Sequence, residues 1–226
     1  MCGRFVIARA TSELVVEFKV TRPTEEEIAP SYNVAPTDRI PIVVDAGGER
    51  RLELARWGLV PRWAADEKVG VRAINARSET AAEKPTFRDA VRSRRAVIPA
   101  DGYYEWQKHA DGSKTPFYIR TPEALTLFAG LYEWWRDPAG GWLLSTSILT
   151  RAAAGERMRE IHDRMPILLD RGDVDEWLAP GAGDANLLAD FADRAEAVST
   201  RLRMHAVDPR VGRVRENDPA LILPSA

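Results

Sequence analysis

The stretch between residues 96 and 149 constrains the fold more than any other part of this 226-residue chain. Apolar, β-branched and aromatic side chains recur there in short runs that end at turn-forming residues, a pattern typical of antiparallel strands joined by hairpins. Asp111-Gly112-Ser113 and Pro138-Ala139-Gly140-Gly141 are the clearest turns. The predicted strands cover residues 96–99, 102–108, 116–120, 125–135 and 142–149.

The rest of the chain alternates short helices with a few more strands. Another hairpin is predicted over residues 40–45 and 51–57, and residues 21–36, with three prolines, are predicted to be a loop. Helices are predicted over residues 11–20 (capped by Thr11 or Ser12), 86–94, 151–160, 173–178 and 185–193, and short strands near 166–169 and 203–207. We therefore predict a single α+β domain over residues 1–226, with a curved, mostly antiparallel sheet, a barrel-like core and flanking helices.

Composition excludes several classes of protein. Hydrophobic residues make up 45% of the chain, which is ordinary for a globular core. One cysteine cannot form an internal disulfide, and three histidines argue against a His-rich zinc site, so we expect no metal and no cofactor. No signal peptide opens the chain and no apolar run of about 18 residues could span a bilayer, so we expect a cytoplasmic protein with no membrane partner.

The single cysteine, Cys2, directly follows the initiator Met1. Because Cys2 is small, removal of Met1 is plausible, and it would leave an α-amine and a thiol on one residue. Their ordinary pKa values lie near about 8 and about 8.5, so both nucleophiles are partly available at neutral pH. Such an aminothiol can capture an aldehyde as an imine and close it to a thiazolidine. Taken alone, an early cysteine is more often a small buried apolar residue.

Four further segments carry polar side chains that could do chemistry, and one of them is a short polar loop closed by proline, Ser31-Tyr32-Asn33-Val34-Ala35-Pro36. In Ile74-Asn75-Ala76-Arg77, Asn75 and Arg77 would share one face of a strand, although a turn and a surface arginine explain them equally well. In Gly102-Tyr103-Tyr104-Glu105-Trp106, flanking aromatics could desolvate Glu105 for acid-base work, although alone the segment slightly favours an outward-facing glutamate. In Ile161-His162-Asp163-Arg164-Met165-Pro166, His162 could carry a proton beside Arg164, although lone histidines are more often structural.

Charge is unevenly distributed in a chain whose net charge is −2. Residues 88–95 carry four arginines against one acid, and residues 201–215 carry five against one. Such clusters are compatible with a local groove for nucleic acid, although a solvated surface is the more common explanation.

Taken together, the motifs resemble those of the SRAP (SOS-response-associated peptidase) family, whose members cross-link to abasic sites in single-stranded DNA. The resemblance extends from residue 1 to at least residue 166, and more loosely over 205–217. The matching stretches are Met1-Cys2-Gly3-Arg4-Phe5, Tyr32-Asn33-Val34-Ala35-Pro36, Trp57-Gly58 with Pro61 and Trp63, Ile74-Asn75-Ala76-Arg77, Gly102-Tyr103-Tyr104-Glu105-Trp106, and Ile161-His162-Asp163-Arg164-Met165-Pro166.

The resemblance implies a catalytic group of Cys2, Asn75, Glu105 and His162. Cys2 would join the ring-opened sugar as a thiazolidine, and the adduct would protect the lesion during the DNA damage response. It also implies lyase-like and thiol-peptidase-like activity, with Met1 removed by the protein itself or by an aminopeptidase. The expected partner is abasic single-stranded DNA, bound by a monomer that is nucleoid-associated when on DNA. The DNA-binding residues implied are Arg4, Asn33, Pro36, Trp63, Arg77, Trp106 and Arg164.

Two other functions are compatible with parts of the sequence. An N-terminal-nucleophile hydrolase, such as a class II glutamine amidotransferase, also begins with Met-Cys-Gly and uses the cysteine thiol with its own α-amine. The chain shows no Asn-Gly-rich oxyanion segment and no room for a synthase domain. A non-catalytic single-strand-binding module would use the tryptophans and arginines but would not need an N-terminal aminothiol.

Overall fold

The computed structural model describes residues 2–225, so the prediction that concerns Met1 lies outside the described residues. The helices are α1 (Thr11–Phe18), α2 (Ser78–Ala81), α3 (Arg88–Ser93), α4 (Glu156–Ile161), α5 (Val174–Leu178) and α6 (Ala185–Ser199), with short 3-10 turns between some elements. The strands are β1 (Arg4–Ile7), β2 (Ser31–Val34), β3 (Arg39–Ala46), β4 (Glu49–Trp57), β5 (Asn75–Arg77), β6 (Arg95–Ala100), β7 (Gly102–Lys108), β8 (Lys114–Arg120), β9 (Thr126–Arg136), β10 (Trp142–Ala152), β11 (Arg164–Pro166), β12 (Leu168–Leu169) and β13 (Arg203–Ala206).

Five of these strands close into a barrel. Around the barrel, β3 pairs with β4, β4 with β10, β10 with β9, β9 with β6, and β6 with β3. All of these pairs are antiparallel except β4 with β10. Strands β5 and β11 extend the sheet beside β10, and β12 extends it beside β9. Closure satisfies the backbone groups that edge strands would leave exposed.

A second sheet, in the order β13-β8-β7-β1-β2, packs against the barrel. One hydrophobic cluster spans both and includes Phe5 of β1, Trp57 of β4, Tyr103 of β7 and Phe128 of β9. Phe5 meets the Trp57 and Phe128 rings edge-on, with centroids 5.1 Å and 5.9 Å away. Each fully buried aromatic side chain of this kind contributes roughly 1.5–3 kcal/mol by burial. The predicted α+β class, with a mostly antiparallel, barrel-like core and flanking helices, is confirmed.

The predicted hairpin over residues 40–57 and the strands between residues 96 and 149 are confirmed, with small shifts at their ends. The loop predicted over residues 21–36 is wrong in part, because Ser31–Val34 form β2. There Val34 pairs with Phe5 and Ser31 with Ile7, so β1 supplies hydrogen-bond partners that the local sequence does not indicate. β1 itself was not predicted.

Helix boundaries needed three corrections. The predicted side-chain cap of α1 is wrong, because Ala10 precedes the helix and the Thr11 hydroxyl instead accepts from the Ile28 backbone N–H at 2.9 Å. The helix predicted from residue 151 begins only at residue 156, since β10 continues to residue 152 by pairing with β11. Helix α6 runs to residue 199 rather than 193, because Ala195 and Val198 continue its buried stripe.

Among residues 2–225, no helix is both long enough and apolar enough to cross a membrane.

Candidate active site and nucleic-acid interface

Cys2 lies immediately before β1 and is fully buried in the cluster shared by the barrel and the second sheet. Its Sγ lies 3.9 Å from the Arg4 carbonyl oxygen. Burial, and to a smaller extent the negative charge of Glu105, raise the pKa of the Cys2 thiol far above its ordinary value. The thiol is therefore neutral at physiological pH in this arrangement.

Asn75 joins the barrel edge to Cys2. It lies on β5, opposite Ile148 of β10, and its Nδ2 donates to the Cys2 carbonyl oxygen at 2.8 Å. Its Oδ1 is buried and has no hydrogen-bond partner among the described residues. Ala76 is buried while Asn75 and Arg77 are more exposed, so of the two alternatives left open for this segment the structure has the strand, with Asn75 and Arg77 on one face. The side chain thus holds Cys2 with one end and presents an acceptor with the other.

Glu105 lies on β7 and is only 3% exposed. The outward orientation favoured by its segment alone is wrong, because Glu105 is buried near the Cys2 thiol, whose pKa it raises. Its Oε1 accepts from the Trp106 backbone N–H at 3.2 Å. A carboxylate and a thiol are thereby buried together beside the Asn75 contact.

His162 directly follows α4, which lies across the same face of β7. The Tyr103 hydroxyl contacts the Met158 sulfur at 3.7 Å, and Gln107 Nε2 donates to the Glu160 carbonyl at 3.2 Å. Glu105 lies between Tyr103 and Gln107 on β7, and alternation places all three side chains on one face of the strand. The end of α4 therefore carries His162 toward the face on which Glu105 lies.

The protonation of His162 follows from its neighbours. The Arg164 backbone N–H donates to His162 Nδ1 at 2.9 Å, and an Asp163 carboxylate oxygen lies 2.8 Å from the same nitrogen. Nδ1 cannot both accept a hydrogen bond from the Arg164 amide and donate one to the Asp163 carboxylate. The backbone amide is held by β11 whereas the Asp163 side chain is exposed, so we assign the ring proton to Nε2.

The implied DNA-binding residues divide into two groups. Arg77 and Trp63 are exposed, and Pro36 is half-buried beside an exposed Thr37. Arg164 reaches the surface only in part, because its guanidinium is held by Glu79 at 2.6 Å and by the Thr150 carbonyl at 2.8 Å. The hydrogen bond from Arg164 lowers the pKa of the Glu79 carboxyl, which keeps this ion pair charged.

Arg4, Asn33 and Trp106 lie on the opposite face of the second sheet. The Arg4 guanidinium donates to Asn33 Oδ1 at 2.8 Å and to the Val211 carbonyl at 3.0 Å. Trp106 packs against a separate cluster built around Tyr104. The sheet therefore separates these three residues from Cys2, Asn75 and Glu105.

Asn33 has a structural role that the sequence did not reveal. It is 3% exposed, and its Nδ2 lies within hydrogen-bond distance of the carbonyls of Val211, Arg213 and Glu216, the nearest at 2.8 Å. The side chain thus fastens the C-terminal segment, residues 209–217, to the back of the second sheet. The only sequence signal was the loose resemblance over residues 205–217.

Asn33→Ala is expected to lower the free energy of unfolding by about 2 kcal/mol, because it leaves buried carbonyls and the Arg4 guanidinium without their partner. Urea denaturation measures this change. Asn186→Ala is the matched control, because Asn186 is exposed on α6 and its loss should cost under about 0.5 kcal/mol. Equal midpoints for the two variants would contradict the structural role of Asn33.

Several arginines of the two arginine-rich stretches are paired within the chain. Arg95 is buried and donates to the carbonyls of Trp177 and Ala179, and Arg94 binds Glu133 at 2.7 Å. In residues 201–215, Arg201 binds Glu123 and Asp170, and Arg210 binds Asp218. These arginines mainly neutralise or anchor neighbouring groups.

Within residues 2–225, no three His, Cys, Asp or Glu side chains are grouped so that they could hold a metal ion.

Comparison with known proteins gives a consistent match. The family model described as SOS response associated peptidase (SRAP) matches residues 1–214. The abasic site processing protein YoqW of Bacillus subtilis is 39% identical over 224 residues, covering 98% of this chain and 99% of YoqW. The abasic site processing protein YoaM of the same organism is 43% identical over 182 residues, covering 80% of each chain. A crystal structure of a Bacteroides thetaiotaomicron protein shares the fold, with a TM-score of 0.85 at 23% identity over the full length of both chains.

Proposed function

The chain belongs to the SOS response associated peptidase (SRAP) family, and on that premise we propose that it processes abasic sites in single-stranded DNA by joining Cys2 covalently to the ring-opened sugar. Relatives that match over 98% and 80% of the chain are named abasic site processing proteins, which supports this class of substrate. A monomer would suffice, since all of the proposed groups come from one chain.

The observation that carries the proposal is the environment of Cys2. Asn75 Nδ2 binds its carbonyl at 2.8 Å, the Asn75 Oδ1 has no partner in the described part of the chain, and Glu105 is buried close enough to act on the thiol pKa. A purely structural cysteine needs neither a buried carboxylate nor an unsatisfied amide oxygen beside it. The arrangement suits a residue that receives a polar substrate.

The reaction balances without a cofactor. Removal of Met1 would leave an α-amine on Cys2. The amine adds to the C1′ aldehyde of the opened deoxyribose, and the resulting carbinolamine loses one water to give an imine. The thiol then adds to the imine carbon, a C–S bond forms, and the thiol proton ends on the ring nitrogen. The products are a thiazolidine and one water.

Three side chains would assist these steps. Glu105 would relay protons, from the attacking amine to the departing hydroxyl of the carbinolamine and from the thiol to the ring nitrogen. Asn75 Oδ1 would accept a hydrogen bond from a sugar hydroxyl. His162, with its proton on Nε2, would donate to the sugar oxygen released when the ring opens. Each role uses a group already located beside Cys2 or at the adjacent end of α4.

The test is the intact mass of the protein after incubation with a single-stranded abasic oligonucleotide. We expect a species at the summed mass of Met1-free protein and oligonucleotide, less one water. The same oligonucleotide with its aldehyde reduced to an alcohol should give no such species. Absence of the adduct from the aldehyde form would overturn the proposal, and hydrolysis of glutamine would favour the amidotransferase instead.

DNA binding is expected to depend steeply on salt, at roughly −0.7 log units of affinity per log unit of salt for each phosphate neutralised. Arg77→Ala should weaken single-strand binding and reduce this slope by about 0.7, because Arg77 is exposed on the strand that carries Asn75. Fluorescence anisotropy with a labelled oligonucleotide at several salt concentrations gives both values.

Arg51→Ala is the matched control for Arg77. Arg51 lies six residues before Trp57 on β4, so it is roughly 20 Å along the strand from the end that reaches the site. Its loss should leave the slope unchanged. A salt-independent affinity, or an equal effect of both variants, would contradict the proposed phosphate contact.

A further inference from the structure

Two tryptophans lie exposed on the hairpin formed by β9 and β10. Trp142 is 64% and Trp134 39% exposed. In the pairing register Trp142 lies opposite Arg136, and Leu144 lies opposite Trp134, so both tryptophans and Arg136 project from one face of the hairpin. With Arg62 they line an open depression of about 510 Å³, which we call the tryptophan platform.

The platform carries positive charge that the chain leaves available. The Arg136 guanidinium lies 6.0 Å from the centre of the Trp142 ring, and no carboxylate in residues 2–225 forms an ion pair with it. Arg62 binds Glu133 at 2.9 Å, but Glu133 also binds Arg94 at 2.7 Å, so two guanidinium groups share one carboxylate. The net local charge is therefore positive.

An adjoining groove connects the platform to Thr37, which follows Pro36. Both tryptophans line this groove as well, together with Arg39, Arg56 and other side chains. Its acidic members are Glu26 and Glu53. Glu26 is neutralised by a two-fold hydrogen bond from Arg39, with distances of 2.7 Å and 2.8 Å. Two arginines thus face two glutamates in this groove, so its contribution on the side of Pro36 is mainly apolar surface.

We propose that the tryptophan platform binds the DNA strand at a distance from the abasic site, with bases stacked on Trp142 and Trp134 and phosphates near Arg136 and Arg62. Aromatic faces beside guanidinium groups bind single strands without sequence preference. That the bound strand carries an abasic site rests on the proposed function.

The distance between the tryptophan platform and Asn75 follows from β10, because this strand passes both. Ile148 lies opposite Asn75, and Trp142 lies six residues earlier on the same strand, roughly 20 Å away. At about 3.4 Å per stacked nucleotide this corresponds to about six nucleotides, or fewer if the strand is extended. A polyanion is favoured over a protein partner because the four residues that line the platform are two exposed tryptophans and two arginines, with no carboxylate among them.

The experiment compares long and short oligonucleotides by fluorescence anisotropy. The short one has two nucleotides on each side of the abasic site, and two longer ones extend either the 5′ or the 3′ side to eight. For wild-type protein, one of the two extensions, the one that reaches the tryptophan platform, should raise the affinity. Trp142→Ala should reduce the ratio of long to short affinities for that extension about 5- to 150-fold, since stacking on an aromatic ring contributes about 1–3 kcal/mol per base.

Two further variants test the physical cause. Trp142→Phe should restore most of the ratio, because it keeps an aromatic face. Val16→Ala, an exposed apolar residue on α1, should leave the ratio unchanged. Arg136→Ala should lower the salt slope measured with the long oligonucleotide only.

Several outcomes would overturn the platform. One is a wild-type ratio near one for both extensions. Another is an unchanged ratio in Trp142→Ala, and a third is a change in the sedimentation of free Trp142→Ala, which would make the surface a contact between copies of the chain. Repeating the anisotropy comparison with undamaged oligonucleotides measures stacking on the platform when no cross-link can form. Length-dependent binding there, with no adduct on any abasic strand, would refute the proposed function and leave the platform supported.

Discussion

Cys2→Ala is expected to abolish the denaturation-resistant adduct with a single-stranded abasic oligonucleotide. The variant keeps an α-amine after removal of Met1, so it can still form an imine, but it has no thiol to close the ring. An imine hydrolyses during denaturing electrophoresis unless borohydride reduces it. We therefore expect no shifted band without borohydride, and a shifted band only with it.

Cys2→Ser is the companion variant, because a hydroxyl occupies nearly the same buried volume and is a much poorer ring-closing nucleophile. It should behave like Cys2→Ala. Circular dichroism checks that both variants fold, since Cys2 is fully buried. Equal adduct yield from wild type and Cys2→Ala without borohydride would exclude the thiol from the linkage. Equal non-covalent binding by both proteins, with no adduct from either, would favour a non-catalytic binding module.

Glu105→Gln is expected to change two rates in opposite directions. Adduct formation should slow by about 10²- to 10⁴-fold, because the amide cannot exchange protons during loss of water and ring closure. Alkylation of Cys2 by iodoacetamide should become faster at a given pH. The negative charge of Glu105 helps to raise the pKa of the thiol, so its removal lowers that pKa and increases the thiolate fraction.

The pH dependence distinguishes this role from a structural one. The alkylation rate of Glu105→Gln should begin to rise at a lower pH than that of wild type, while burial, the larger cause, keeps the pKa above its ordinary value. Glu160→Gln on α4 is the control, because this side chain is exposed and should alter neither rate. Slower adduct formation with unchanged alkylation would mean that the carboxylate does not act on the thiol. Adduct formation at the wild-type rate would exclude the acid-base role.

The residues of the candidate site could be named from the sequence because they lie in short motifs. Neither Cys2 nor Asn75 is distinctive alone, and it is the combination of motifs that singles them out. The structure adds the contact between Asn75 and the Cys2 carbonyl, which spans 73 residues and has no local signal. The structure also shows that Glu105 is buried. Alternation along β7 defines two faces of the strand, but the sequence does not indicate which face is covered by other elements.

The sequence by itself determined the hairpins and the broad class of the fold. The turns and alternating apolar residues between positions 96 and 149 are local, and strands joined by a few residues pair with their neighbours. It left β5 open, because a turn explained Asn75 and Arg77 equally well.

Only the tertiary structure decided how the barrel closes and which polar side chains reach the site. Closure depends on a parallel pairing in which Arg56 meets Ser145, and β1 and β2 become strands only by pairing with each other and with β7. Arg4 and Asn33 were implied as DNA contacts, yet their side chains bind the backbone of residues 211–216. Such contacts depend on elements far apart in the chain, and their free energy comes from burial and hydrogen bonds that exist only once both elements are in place.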